Sequence, residues 1–149
     1  MIEIKRTNSQ NEDFIQLVAA LDKDLAIRDG DEHGFYAQFN KIANLNHVVV
    51  LYNNNIPVAC GAIKPYESNC MEPKHNSVPE TQRAKRRAST ALTELEKWAL
   101  DLDTSQLILQ TQLKQPEAIA FYRKNNYTVI PNYGQYANIE NSVCFEKNL

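Results

Sequence analysis

Two apolar runs near the middle of the chain constrain the fold more than any other feature. The first is HVVVLY at residues 47–52 and the second is IPVACGAIK at residues 56–64, with three asparagines between them. Apolar runs on either side of a short Asn-rich turn predict a β-hairpin. The other elements of the chain must therefore pack around an antiparallel pair of strands.

The segments before the hairpin predict one strand and two helices. Residues 1–7 alternate between apolar and polar side chains, as a strand does. Ser9 or Asn11 is placed to cap a following helix with apolar residues at helical spacing, which ends near Ile27. Residues 35–43 carry aromatic and apolar residues on one side and predict a short second helix.

The segment after the hairpin predicts a weak third strand. A polar turn at residues 66–69 is followed by residues 71–78 in the position where a strand should come. Pro73 removes a donor from the ladder of this strand. The consecutive residues His75, Asn76 and Ser77 are polar. Local composition therefore argues against the strand that the order of elements requires.

The last third of the chain alternates between helices and strands. An amphipathic helix starts near Ala88, and a second helix has Pro116 in its first turn. The predicted strands are at residues 106–111, 127–130 and 142–147. The whole order, β-α-α-β-β-β-α-β-α-β-β, predicts one α/β (α+β) domain over residues 1–149. Its central sheet should be mixed and mostly antiparallel, with about seven strands and helices on both faces.

Composition narrows the classes of function. With 149 residues, 43% hydrophobic and 23% charged, the chain is typical of one soluble domain. A net charge of −2 gives no general reason to expect nucleic acid as a partner. The N-terminus has no apolar leader, and no window approaches the roughly 18 apolar residues of a membrane span. The three cysteines and three histidines form no metal or redox motif, so we expect no metal, buried thiols and a cytoplasmic location.

A basic cluster, QRAKRRAS at residues 82–89, lies at the start of the predicted helix that begins near Ala88. Positive charge there opposes the helix dipole unless an anion is bound. Three interpretations are open: a solvated helix start, a polyanion-binding patch, or an anion-binding loop. The acidic balance of the chain and the absence of a nucleic-acid recognition motif make the patch the weakest of the three.

Five segments taken together resemble the GNAT superfamily of acyl-CoA-dependent N-acyltransferases. They are VPETQR, ALTELEKWAL, LKQPEAIAFYRKNNY, IPNYGQY and ENSVCFEK, in the family's order and separations. The resemblance implies the GNAT fold and acetyl-CoA as cofactor. It also implies transfer of an acetyl group to a primary amine, of a small molecule or a peptide, by direct attack. Members of the family often dimerise, so a homodimer is compatible with the resemblance.

The family binds the pyrophosphate of coenzyme A at a helix N-terminus, and the strand before it bonds the pantetheine arm. In this chain Arg83 matches the first motif position and Ala88 the last, while the signature glycine falls on Arg86. Arg87 stands where an apolar residue is usual. The resulting cofactor-binding candidates are Asn76, Val78, Arg83, Ala84, Lys85, Arg86, Arg87, Ala88, Ser89 and Gln115.

The arginine at the glycine position has two opposed effects. Glycine lets a diphosphate approach bare backbone, so a side chain there should obstruct it. Strain at such a position is of order 1–3 kcal/mol, and one charge-assisted hydrogen bond from Arg86 could offset about that much. Two expectations therefore stand side by side: an acetyltransferase with weakened cofactor binding, and a GNAT-fold protein with impaired catalysis.

The resemblance also implies roles on the acceptor side. Tyr122, in AFYRK, matches the tyrosine that protonates the leaving thiolate, and Glu72 is the candidate general base. Tyr133 and Tyr136 match a loop that borders the acceptor and are the candidate substrate-binding residues. Each has an ordinary alternative, since aromatic residues usually pack and a strand carboxylate is usually solvated.

Overall fold

The predicted hairpin forms part of a seven-stranded sheet in a computed structural model, which describes residues 1–29, 44–79 and 86–149. The strands are β1 Ile2–Thr7, β2 His47–Asn53, β3 Ile56–Glu67, β4 Cys70–Ser77, β5 Gln106–Gln112, β6 Thr128–Ile130 and β7 Ser142–Asn148. Their order across the sheet is β1-β2-β3-β4-β5-β7-β6. Among the strands of the described residues only the β4–β5 pair is parallel, so the mixed, mostly antiparallel sheet predicted from the sequence is confirmed.

Three α-helices lie within the described residues: α1 Glu12–Asp29, α2 Arg87–Asp101 and α3 Pro116–Lys124. Asn11 caps α1, because its Oδ1 accepts the backbone N–H of Phe14 at 2.9 Å. Ser9 instead forms two hydrogen bonds with Leu45, which lies just before β2. The predicted end of the first helix near Ile27 was two residues early, and the predicted helix at 35–43 lies outside the described residues.

The two faces of the sheet are covered by different helices. Phe14, Leu17 and Val18 of α1 pack against one face, over the buried side chains of Val48, Val50, Cys60 and Ala62. The apolar side of α2 packs against the other face, where it meets Val49, Leu51, Ile63, Met71 and Leu107. Alternate residues of each strand therefore serve opposite cores, as the pleat requires. The three cysteines are buried and unpaired, as predicted.

Strand β4 forms despite its polar sequence, and it contains a bulge. Cys60 pairs with Ser77 and Ala62 with Lys74, so two residues of β4 oppose the single residue Gly61 of β3. One of the two, His75, has φ 57°, in the left-handed region. The predicted turn at 66–69 was wrong in its first half, because β3 continues to Glu67 and only residues 68–69 turn.

Candidate active site

The parallel strands β4 and β5 separate soon after they meet. They pair only at Cys70 with Gln106 and at Met71 with Leu107. Beyond these two pairs, β5 remains paired with β7, and β4 remains paired with β3 as far as Ser77. In the described part of the chain, β4 therefore has no strand beside its outer edge from Glu72 onward. Backbone groups along such an edge can bond an extended ligand.

The start of α2 lies beyond the end of β4 and has no side-chain cap. Its first helical hydrogen bond runs from the N–H of Thr90 to the C=O of Arg86. The N–H groups before Thr90 therefore have no acceptor within the helix. Arg86 itself has φ 61° and ψ 17°. The glycine position of the family motif therefore keeps a backbone conformation that favours glycine. The exposed side chain of Arg86 lies at the surface.

Arg87 adds positive charge inside this helix start. Its Nε is buried and has no hydrogen-bond partner among the described residues. Ser89, two residues further along the helix, accepts a 3.4 Å hydrogen bond from Asn125 at the end of α3. The N–H groups of this first turn, which no side chain of the described residues caps, suit an anion, and Nε of Arg87 is a further unpaired donor in the same turn. The candidates Arg83, Ala84 and Lys85 lie outside the described residues.

Tyr122 of α3 reaches across the gap between the separated strands. Its hydroxyl accepts a 2.9 Å hydrogen bond from Nδ2 of Asn76 on β4. The ring packs between those of Tyr127 and Phe145, at centroid distances of 5.6 and 5.9 Å. Burial raises the pKa of the Tyr122 phenol, and the hydrogen bond from Asn76 opposes that rise in part. The phenol therefore keeps its proton at neutral pH.

Glu72 is buried, with 2% of its surface exposed, and lies among charged and hydroxyl groups. Its Oε2 accepts the hydroxyl of Tyr133 at 2.6 Å. Its Oε1 lies 3.5 Å from the ammonium of Lys74 and 3.8 Å from that of Lys64. Burial, together with the negative charge of Glu72, raises the pKa of Tyr133. Burial also lowers the pKa of Lys74, against the opposing effect of Glu72.

The bulge decides which candidates share a face of β4. Side chains alternate along a strand, so residues 72 and 76 would face the same way in a regular strand. The extra residue at the bulge instead turns Asn76 toward Leu95 of α2, while Glu72 faces Tyr133. The candidate acid and the candidate base therefore contact opposite faces of one strand.

Two further candidates lie in well-defined local contacts. Tyr136, only 1% exposed, packs with Cys144 in a small cluster and meets the ring of Tyr133 at 5.9 Å. Gln115 stands at the N-terminus of α3 without capping it, and its amide donates to Gln112 at 3.2 Å. The structure thus brings Tyr133 into contact with Glu72, and the buried ring of Tyr136 packs against Tyr133.

Residues 12–127 match the sequence profile of the Acetyltransferase (GNAT) family. The chain belongs to this family. The resemblance and the fold predicted from the sequence are confirmed. No curated protein matches the chain.

Three solved structures share the fold of this GNAT protein over nearly the whole length of both chains. An acyl-CoA N-acyltransferase of Klebsiella pneumoniae is 26% identical with a TM-score of 0.83, covering 100% of this chain and 98% of the other. The PaiA N-acetyltransferase of Thermoplasma acidophilum, solved with coenzyme A, is 15% identical with a TM-score of 0.74, covering 100% and 99%. A GNAT acetyltransferase of Elizabethkingia anophelis with acetyl-CoA bound is 13% identical, with a TM-score of 0.73 and coverage of 99% and 98%.

One contact of this GNAT site was not predicted from the sequence. Asn76 was a candidate for cofactor binding, but its bond to Tyr122 and its place opposite Gly61 were missed. An isolated glycine inside a strand pattern is a signal of a bulge or a close backbone approach, and Gly61 is such a glycine. In the described ranges no helix has the length and apolar character of a membrane span, and no three potential metal ligands are grouped.

Proposed function

We propose that this GNAT protein transfers an acetyl group from acetyl-CoA to a primary amine of a small molecule or a peptide. The observation that carries the proposal is the early separation of β4 from β5, with the uncapped start of α2 beyond it and Tyr122 across the gap. Family membership supports acyl-CoA chemistry, and two relatives of the same fold were solved with coenzyme A or acetyl-CoA.

The residues present fit such a cofactor. The N–H groups that open α2 and the buried Nε of Arg87 suit the two negative charges of a diphosphate. The edge of β4, including the backbone at Asn76 and at Val78 just beyond the strand, suits the amides of a pantetheine arm. The same proposal assigns cofactor contacts to Arg83, Ala84, Lys85, Arg86, Ala88, Ser89 and Gln115.

Arg86 is more compatible with this role than its sequence position indicates. The backbone at Arg86 has the left-handed geometry that glycine adopts most easily, so replacing the motif's glycine by arginine has not forced the helix start into another conformation. The side chain is exposed and adds a positive charge near the proposed diphosphate. The remaining cost is the strain of a non-glycine residue at positive φ, about 1–2 kcal/mol. We therefore favour retained cofactor binding over an inactive protein.

Acetyl-CoA supplies an acetyl thioester that an amine can attack. Tyr122, held as a neutral phenol, donates its proton to the sulfur that leaves. Glu72 takes the proton that the attacking nitrogen loses, through the hydroxyl of Tyr133, which passes its own proton over 2.6 Å. Tyr133 borders the amine, and Tyr136 supports the ring of Tyr133 from within the packed cluster. The two proton transfers then occur on opposite faces of β4.

A calorimetric titration with acetyl-CoA, with free coenzyme A as control, tests the proposal. We expect saturable binding with a dissociation constant below about 1 mM, a free energy of roughly −4 kcal/mol or better. Tyr122→Phe should bind the cofactor normally and lower kcat by about 10²–10⁴. An absence of heat at millimolar acetyl-CoA would refute the proposal. If Arg86→Gly with Arg87→Ile then restored binding, the impaired GNAT protein would be the correct description.

A further inference from the structure

The side chain of Asn76 occupies a space that a glycine leaves open. At the bulge, Gly61 of β3 opposes His75 and Asn76 of β4. A Cβ at position 61 would lie 2.3 Å from Oδ1 of Asn76 and 2.9 Å from Cδ1 of Leu95. The carboxamide is therefore packed directly over the glycine backbone. Any larger residue at position 61 would displace it.

Only one end of this carboxamide is paired. Nδ2 donates to the hydroxyl oxygen of Tyr122 at 2.9 Å. Oδ1 is buried and has no hydrogen-bond partner among the described residues. A leucine would fill the space lined by Leu95 and Gly61 and would remove the unpaired Oδ1, but it could not donate to the hydroxyl of Tyr122. Packing alone therefore does not explain an asparagine here, and the contact with Tyr122 does.

We propose that Asn76 is a positioning residue that orients Tyr122 for proton donation. This inference rests on the role proposed above for Tyr122. Because Asn76 donates to the phenol oxygen, the hydrogen of Tyr122 is not used in this bond. It is then directed into the gap between β4 and β5. The same N–H stabilises the phenolate that remains when the proton has left, since a hydrogen bond to a charged oxygen is stronger than one to a neutral oxygen.

The opposite orientation of the amide gives a distinguishable result. If Oδ1 faced Tyr122, it would accept the phenol proton and hold it away from the gap. Removing Asn76 would then release the proton and raise activity or leave it unchanged. The orientation in the structure predicts a loss of activity instead. The sign of the effect therefore tests the proposal directly.

The first experiment needs no cofactor. Tyrosines labelled with ¹³C at Cζ report the hydrogen bonding and ionisation of each phenol, and Tyr122→Phe assigns the resonance of Tyr122. In Asn76→Leu the Tyr122 signal should shift and the pKa of its phenol should rise. The Tyr133 signal, from the other face of β4, is the internal control and should stay in place. An unchanged Tyr122 signal would overturn the proposal, even if acetyl transfer were confirmed.

The second experiment is a double-mutant cycle in kcat. Asn76→Leu should lower kcat about 10–100-fold, with little change in the KM for acetyl-CoA, because the interaction strengthens only as charge develops. In a Tyr122→Phe background the same substitution should have no further effect. A further fall in that background, or a higher KM at unchanged kcat, would mean that Asn76 acts independently of Tyr122. Asn76→Ala, which leaves the space open, repeats the test if the leucine does not fit.

Discussion

Gly61→Ala tests the packing at the β4 bulge through stability. The added methyl group would lie 2.3 Å from Oδ1 of Asn76 and 2.9 Å from Cδ1 of Leu95. Both distances are shorter than the ~3.5–4.0 Å of an ordinary contact, and the distance to Asn76 is the shorter of the two. The side chain of Asn76 must therefore turn away, which breaks its bond to Tyr122.

Two costs add in the Gly61→Ala variant. Overpacking of a filled space costs typically 1–3 kcal/mol, and the lost neutral hydrogen bond costs about 1 kcal/mol. We expect a loss of about 3 kcal/mol in the free energy of unfolding. For a domain of this size that lowers Tm by roughly 6–12 °C. Urea denaturation followed by circular dichroism measures the free energy, and a thermal melt measures Tm.

The matched control is a double variant that removes the obstructing group. Asn76→Ala alone should change stability little, because one hydrogen bond and one unpaired buried acceptor disappear together. Combined with Gly61→Ala it should recover about half of the loss, since only the contact with Leu95 remains. Wild-type stability in Gly61→Ala, or a double variant as unstable as Gly61→Ala, would refute this description of the bulge.

Three further predictions concern other parts of the fold. Burial lowers the pKa of His47 from 6.5, so the unfolded state binds a proton before the folded state does as pH falls. The free energy of unfolding should therefore decrease below about pH 6.5. In urea titrations at several pH values, His47→Gln should remove the part of this pH dependence that His47 contributes. Tyr127→Phe removes the 2.9 Å hydrogen bond to Glu96 and should cost about 1.5–3 kcal/mol in urea denaturation, whereas a change below ~0.5 kcal/mol would show that the bond contributes nothing. Burial raises the pKa of Cys60 to about 12, so this thiol should not react with a thiol reagent at pH 8 while the protein is folded. Rapid labelling of Cys60 before unfolding would contradict its burial.

Local sequence signals predicted most of the elements. The hairpin follows from two apolar runs and a turn, and the start of α1 follows from Asn11 four residues before Ile15. The long helix α2 follows from apolar residues three and four positions apart. Such signals depend on residues within one turn of each other. The weak strand β4 was predicted from the order of the elements alone, and its bulge was not predicted.

The family motif also predicted the place of the site, because it too is carried by short segments. The motif placed Tyr122 on a helix after a buried strand and Arg86 at a helix start, and both are found there. It did not predict that Arg86 would keep a left-handed backbone. The motif has glycine at this position, and an arginine rarely adopts a positive φ.

Only the tertiary structure decided which side chains meet. The sequence by itself determined the family and those helices and strands that have clear local signals, since spacing, caps and motifs act over a few residues. Glu72 meets Tyr133 across 61 positions and Asn76 meets Tyr122 across 46, and both meetings depend on the register of β4. A single inserted residue at the bulge reverses the faces of that register. A glycine such as Gly61 is a local signal of a bulge, but it does not specify which side chains the bulge turns toward α2 and α3, because those elements follow β4 in the chain.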